Sequence, residues 1–193
     1  MFGIDHILYD GAYTYADAVN SFFLYSFCGW VMECIVIRRE KGVWENRGFV
    51  HLPLCIIYGF GAMAGYALLR PMTNNYLLIY VSGALLATAF EYLTGRLMLR
   101  LFGQLWWDYS NKRFNYRGIL CLESTIGWGL IAVLIFAVIH PLIFGVVTRL
   151  DHRSASTLAI ILFLAYLLDF ICSARTALHK AHDNREEHVC DPS

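Results

Sequence analysis

The chain has 193 residues, 58% of them hydrophobic and 16% charged, with a formal net charge of zero and a mean hydropathy of +0.51. A soluble domain of this size has too little interior to hide that apolar load. The composition points to a polytopic membrane protein of one compact domain, and nucleic acid is not an expected partner.

The first sixteen residues carry Asp5 and Asp10 and no Lys or Arg. They lack both the basic and the apolar regions of a cleavable signal peptide, so the first span, at residues 17–37, reads as a retained anchor. Within it Tyr25, Gly29 and Glu33 recur every four residues and share a helix face. A polar loop, EKGVWENRGFVHLP at residues 40–53, leads to a short second span at 52–69, where Gly61 and Gly65 form a GxxxG pattern with Gly59, Ala62 and Ala64 around it. The third span, at 76–99, repeats Gly83, Ala87, Glu91 and Gly95 at four-residue spacing. Small residues of this kind let helices approach closely in lipid. After a second loop, at 102–124, the fourth span covers 121–147 and contains His140-Pro141, which should kink it or end it early. The fifth, at 157–174, contains Asp169. Residues 1–176 are expected to form a single transmembrane domain and 177–193 a polar cytoplasmic tail.

Counting Lys and Arg in the loops orients the chain. Arg38, Arg39, Lys41, Arg47, Arg96, Arg100, Lys112, Arg113, Arg117, Arg175, Lys180 and Arg185 fall on one side, and only Arg70, Arg149 and Arg153 on the other. The expected architecture is therefore an all-α membrane bundle of about five transmembrane helices. Its N-terminus is outside, its C-terminus is inside, and a cytoplasmic loop is interfacial or re-entrant.

Glu33, Glu91, Glu123 and Asp169 lie inside or at the start of these apolar segments, where an ionisable group costs at least a few kcal/mol. Each needs a partner, a proton or a role. The topology puts all four in the cytoplasmic half, leaving His140 as the titratable group in the outer half. Arg47 and Arg117 are candidate partners for Glu33, Glu91 or Glu123. The loops bring further polar groups and aromatics, including Asn46, Asp108, Tyr109, Asn111 and Asn115, and the second loop could roof the acids. Structural ion pairing and an interfacial aromatic belt are the plainer readings.

No P-loop, HExxH, CxxC or GxSxG motif occurs, so the chain itself does not bind ATP through a P-loop. The cysteines read as small apolar residues, and a solvated tail is preferred over a metal site at His179, His182, His188 and Cys190. No metal and no cofactor are expected, and Ser124 beside Glu123 lacks a neighbouring His for nucleophilic chemistry.

FFLYSFCGWVMECI, NRGFVHLPLCIIYGFGA, FEYLTGRLM, WWDYSNKRFNYRGILCLESTIGWG and His140-Pro141 together resemble the putative ABC-transporter type IV family of bacterial membrane proteins. The pattern picks out Gly29, Trp30, Glu33, Asn46, Arg47, Tyr58, Gly59, Glu91, Tyr92, Gly95, Asp108, Tyr109, Asn115 and Trp128 among others. Leu52 and Ile56 stand where family members often have Gly and Pro. The resemblance implies a permease subunit in a bacterial cell membrane. A separate ATPase subunit would be its partner, and its size argues for a homo-oligomer. The expected pocket residues are Glu33, Asn46, Arg47, Tyr58, Glu91, Asp108, Tyr109, Asn115 and Glu123. A membrane-embedded enzyme acting on a lipid or amphiphile, and a non-catalytic assembly or regulatory protein, are the competing readings.

Overall fold

The structure, a computed structural model, describes residues 13–46 and 48–190; for Glu40 and for 180–190 it describes the backbone only. Arg47, Asp5, Asp10 and the side chains of Lys180, His182, Arg185, His188 and Cys190 lie outside the described residues. Helix α1 spans Tyr15–Lys41, α2 Ile56–Leu69, α3 Tyr76–Phe102, α4 Leu122–Leu134, α5 His140–Val147 and α6 His152–Cys190. Among the described residues, four segments are long and apolar enough to cross a membrane: 15–39, 76–102, 122–147 and 152–179.

The ends of the long helices are written locally. Thr14 and Asp17 close a capping box on α1, with Thr14 N–H on Asp17 Oδ2 at 2.8 Å and Asp17 N–H on Thr14 Oγ1 at 3.3 Å. Asn75 caps α3 through Leu78 N–H at 3.0 Å. Gly42 and Gly103 end α1 and α3 in the left-handed conformation, at φ 74° and 71°.

The second apolar segment differs from the expected span at 52–69. Its helix begins only at Ile56 and has 14 residues, roughly 21 Å at ~1.5 Å per residue. Pro53 disfavours helix at the residue before it. The backbone groups instead have distant partners: Leu52 N–H donates to Asp169 Oδ2 at 2.6 Å and Cys55 N–H to Ser26 O at 3.0 Å. The α1–α2 loop is thereby fastened to α6 and α1.

His140-Pro141 neither ends the fourth crossing nor leaves it a regular helix. A π-helical turn at Ile135–Ile139 precedes it, and His140 N–H bonds Ile135 O five residues back. Pro141 removes one backbone donor, and the widened turn absorbs that loss before α5 resumes. At the other end of the chain, α6 runs past the expected limit at residue 174 into the polar segment.

The helices associate chiefly as α1 with α2 and α6 and as α3 with α4, and contacts of α2 with α3 and of α1 with α5 join the two groups. Gly29 faces the Tyr58 ring so closely that a Cβ there would overlap it, and Gly59 meets Ser26 and Phe22 in the same way. These contacts close α1 on α2. Gly83 against Ala132 and Gly129 against Tyr80 close α3 on α4. The GxxxG pair behaves otherwise, because a Cβ at Gly61 or Gly65 would meet nothing within 4 Å. Those two glycines wall an open space instead of a helix contact.

Of the two forms expected for the α3–α4 connection, helix and hairpin, it takes the second, as a small β-hairpin. Strand β1 at Asn115–Tyr116 pairs antiparallel with β2 at Leu120–Cys121, in the register Asn115↔Cys121 and Tyr116↔Leu120. Arg117 and Gly118 turn the chain at φ 56° and 68°, and Ile119 N–H closes the turn on Tyr116 O at 3.0 Å. Buried Ile119 packs on Gly95, where an added Cβ would stand 2.6 Å from it. The hairpin is thus seated on the end of α3.

Candidate functional site

The ends of α1 and α3 and the beginnings of α2 and α4 meet at one end of the bundle. There Glu33, Tyr58, Glu91, Tyr109, Ser124 and Trp128 gather. Tyr58 O–H donates to Glu33 Oε1 at 2.5 Å. Glu91, only 4% exposed, accepts from Trp128 Nε1–H on Oε2 at 2.9 Å and from Tyr109 O–H on Oε1 at 3.0 Å. The Tyr58 and Trp128 rings lie 5.6 Å apart, so an aromatic pair connects the two acids.

Ser124 Oγ is 3.3 Å from Glu91 Oε2 and 2.9 Å from Cys121 O. A hydroxyl has one proton, and the nearer carbonyl competes for it. Glu91 therefore rests mainly on Trp128 and Tyr109. Ser124 and Trp128, four residues apart, share one face of α4. Trp128 bears directly on the acid and stands outside the expected pocket set; its place in the family pattern is the sequence signal for it.

Tyr109 reaches Glu91 because the hairpin folds it back. Its N–H donates to Gly118 O at 2.9 Å, and Trp107 Nε1–H donates to Ile119 O at 2.9 Å. Asp108 and Asn115, expected in the pocket, sit on the exposed side and shape this loop. Asp108 Oδ1 accepts Ser110 N–H at 2.8 Å, and hydrogen bonding from Ser110 holds the Asp108 carboxyl below its ordinary pKa. Asn115 donates to Lys112 O at 2.7 Å and accepts Gly118 N–H at 3.2 Å. Burial, reinforced by Glu91, pushes the Tyr109 phenol well above its ordinary value of 10.0. It remains a donor at neutral pH.

The expected arginine partners do not take this role among the described residues. Arg117 lies over the Tyr116 ring at 5.4 Å, and no ion pair links it to Glu33, Glu91 or Glu123. Arg47 lies outside the described residues. Glu123 is exposed on the first turn of α4 and pairs with Lys112 at 3.0 Å, away from the buried site. Asn46 organises the α1–α2 loop, accepting Trp30 Nε1–H at 2.8 Å and Gly48 N–H at 2.9 Å.

Asp169 likewise has a local partner. Its Oδ1 is 2.8 Å from His51 Nδ1, and Ser173 Oγ is 3.2 Å from the same nitrogen. A Ser-His-Asp relay needs opposite nitrogens of the imidazole. Here both groups converge on Nδ1, so the trio fastens the loop to α6 and lacks the geometry of a nucleophile.

A cavity of about 100 Å³ lies between α2, α3 and α4. Glu91, Tyr58 and Trp128 line one end, while Gly61, Gly65 and Ala87 form part of its walls. Towards the other end lie Gly83, Leu69 and Tyr66. Glu91 and Gly83 are eight residues apart on α3, roughly 12 Å at ~1.5 Å per residue. The Tyr66 ring stacks on His140 with centroids 3.8 Å apart, and Tyr25 O–H lies 2.5 Å from His140 Nδ1. A second buried polar group is therefore reached through Tyr66. Among the described residues, no group of three or more His, Cys, Asp or Glu could hold a metal ion.

A family model described as putative ABC-transporter type IV matches residues 20–174. No curated protein and no solved structure matches the chain.

Proposed function

Since the chain belongs to the putative ABC-transporter type IV family, we propose that it is the membrane-embedded permease subunit of a transporter that works with a separate ATPase chain. The observation that carries this reading is the cavity's extent. It begins at Glu91 and continues along α2, α3 and α4 to Tyr66, which stacks on His140. An enzyme working on one leaflet needs only a blind pocket at that leaflet, whereas transport needs an interior route between polar stations.

The charge asymmetry of the loops supports an orientation with the N-terminus outside and the C-terminus inside. Glu33 and Glu91 then stand near the cytoplasmic face, as cation or proton sites at the head of the route. A chain this small lines a complete pathway with a second copy of itself, in a bacterial cytoplasmic membrane.

Cysteine accessibility tests the route. Gly65→Cys is labelled in sealed membrane vesicles of both orientations with a membrane-impermeant maleimide, subtracting labelling of the parent chain. The permease reading expects reaction from at least one aqueous side. Reaction only with a lipid-soluble maleimide, equally in both orientations, would show a pocket that belongs to the bilayer and sink the reading.

A further inference from the structure

We propose that the α2–α3–α4 cavity binds a small organic ammonium, with its cationic head at Glu91 and its apolar body along Gly61 and Gly65. The assignment rests on the cavity being the cargo site of the proposed permease, and it names the chemical class of that cargo.

A carboxylate has about four lone-pair positions. Trp128 fills one on Oε2 and Tyr109 one on Oε1, while Ser124 competes between Glu91 and Cys121 O. Glu91 therefore keeps accepting capacity at the polar end of the cavity. Its existing donors are neutral groups, which orient the carboxylate without cancelling its charge. A cation in this low-dielectric setting is attracted far more strongly than in water.

The surroundings decide which cation. A bare Ca²⁺ or Mg²⁺ wants about six oxygen ligands, and the remaining walls are aliphatic or aromatic. An alkylammonium can place its N–H groups on the free lone pairs of one carboxylate and gains from aromatic faces. The Trp128 and Tyr58 rings, 5.6 Å apart, stand beside that acceptor. An anionic head would meet Glu91 as a like charge, and a neutral alcohol would forgo the attraction. The size sets the remaining limit: a cavity of about 100 Å³ is smaller than the ~150 Å³ that holds a benzene ring, so the body is a short alkyl chain. Open space beside Gly61 and Gly65 gives the body of such a molecule somewhere to lie.

The test uses the full chain in lipid nanodiscs and calorimetric titration with butylammonium, butanol and butyrate, with empty nanodiscs subtracted. Butylammonium should bind at least about tenfold more tightly than the alcohol, and butyrate more weakly still. Glu91→Gln should reduce ammonium affinity about tenfold or more and remove the preference over the alcohol. Gly65→Leu, which fills the wall while retaining the acid, should weaken both ammonium and alcohol. Absence of ammonium binding, equal binding of ammonium and alcohol, preferred binding of butyrate, or unchanged ammonium affinity in folded Glu91→Gln overturns the proposal. The titration involves no ATPase, so its failure is separable from a failure of the permease reading.

Discussion

The indole N–H of Trp128 points at Glu91 Oε2 from 2.9 Å, tying α4 to the buried acid of α3 through a group that can only donate. Tyr109, the other main donor, carries a hydroxyl that can also accept. This difference predicts which replacements of Glu91 the fold tolerates.

Glu91→Gln can offer its carbonyl to Trp128 and its amide to the Tyr109 oxygen, so that each partner keeps a hydrogen bond. Its unfolding free energy in detergent should fall by no more than about 1 kcal/mol. Glu91→Leu leaves two buried donors without an acceptor, each costing ~1–3 kcal/mol, and should lose about 2–4 kcal/mol. Thermal or denaturant unfolding of the two variants measures this, and equal losses would contradict the account of Glu91's support.

Glycine replacements should separate the helix contacts from the cavity wall. Gly29→Ala drives a methyl into the Tyr58 ring and should cost ~1–3 kcal/mol by overpacking, disturbing the Tyr58 bond to Glu33 as well. Gly65→Ala points into open space and should be neutral or stabilising by up to ~1 kcal/mol through helix propensity. Midpoints of unfolding should therefore move in opposite directions or, at the least, differ clearly.

Tyr109 gives a pH signature. Its folded-state pKa is raised above the ordinary 10.0, mainly by burial, so above about pH 10 the unfolded chain releases this proton before the folded one does. The stabilisation is present below that pH and declines as pH rises towards the folded value. The stability advantage of the wild type over Tyr109→Phe should therefore shrink above about pH 10. A difference that grows with pH would contradict the burial of this phenol against Glu91.

Asp169 should matter to the α1–α2 loop more than to transport chemistry. Asp169→Ala removes the acceptor of Leu52 N–H and the partner of His51. Hydrogen exchange at residues 48–55 should accelerate, while Tyr109 and its hairpin keep wild-type protection. Unchanged exchange at Leu52 would remove the fastening role.

That Glu33 and Glu91 need polar partners was legible from the cost of placing acids in hydrocarbon, but the identity of those partners was not. Opposite charge makes arginine the obvious candidate in a sequence, whereas Tyr58, Tyr109 and Trp128 read equally well as belt or core residues. Only the fold reveals that their polar ends converge. The hairpin was obscure for a related reason, since Asp108 and Asn115 act through backbone atoms of a strongly bent loop. The GxxxG spacing correctly placed Gly61 and Gly65 on one face but could not say whether a helix covers it; Gly29 and Gly59 make the close contacts instead. Glu123 sits on an apolar helix, yet its first-turn position lets it lean outwards to Lys112.

The most direct measurement of the permease assignment is quantitative mass spectrometry of the tagged chain cross-linked and purified from its native membrane. The account predicts a P-loop ATPase recovered in reproducible stoichiometry with the full-length protein. Efficient recovery and cross-linking of the chain with no ATPase would contradict its role as the membrane subunit of such a transporter.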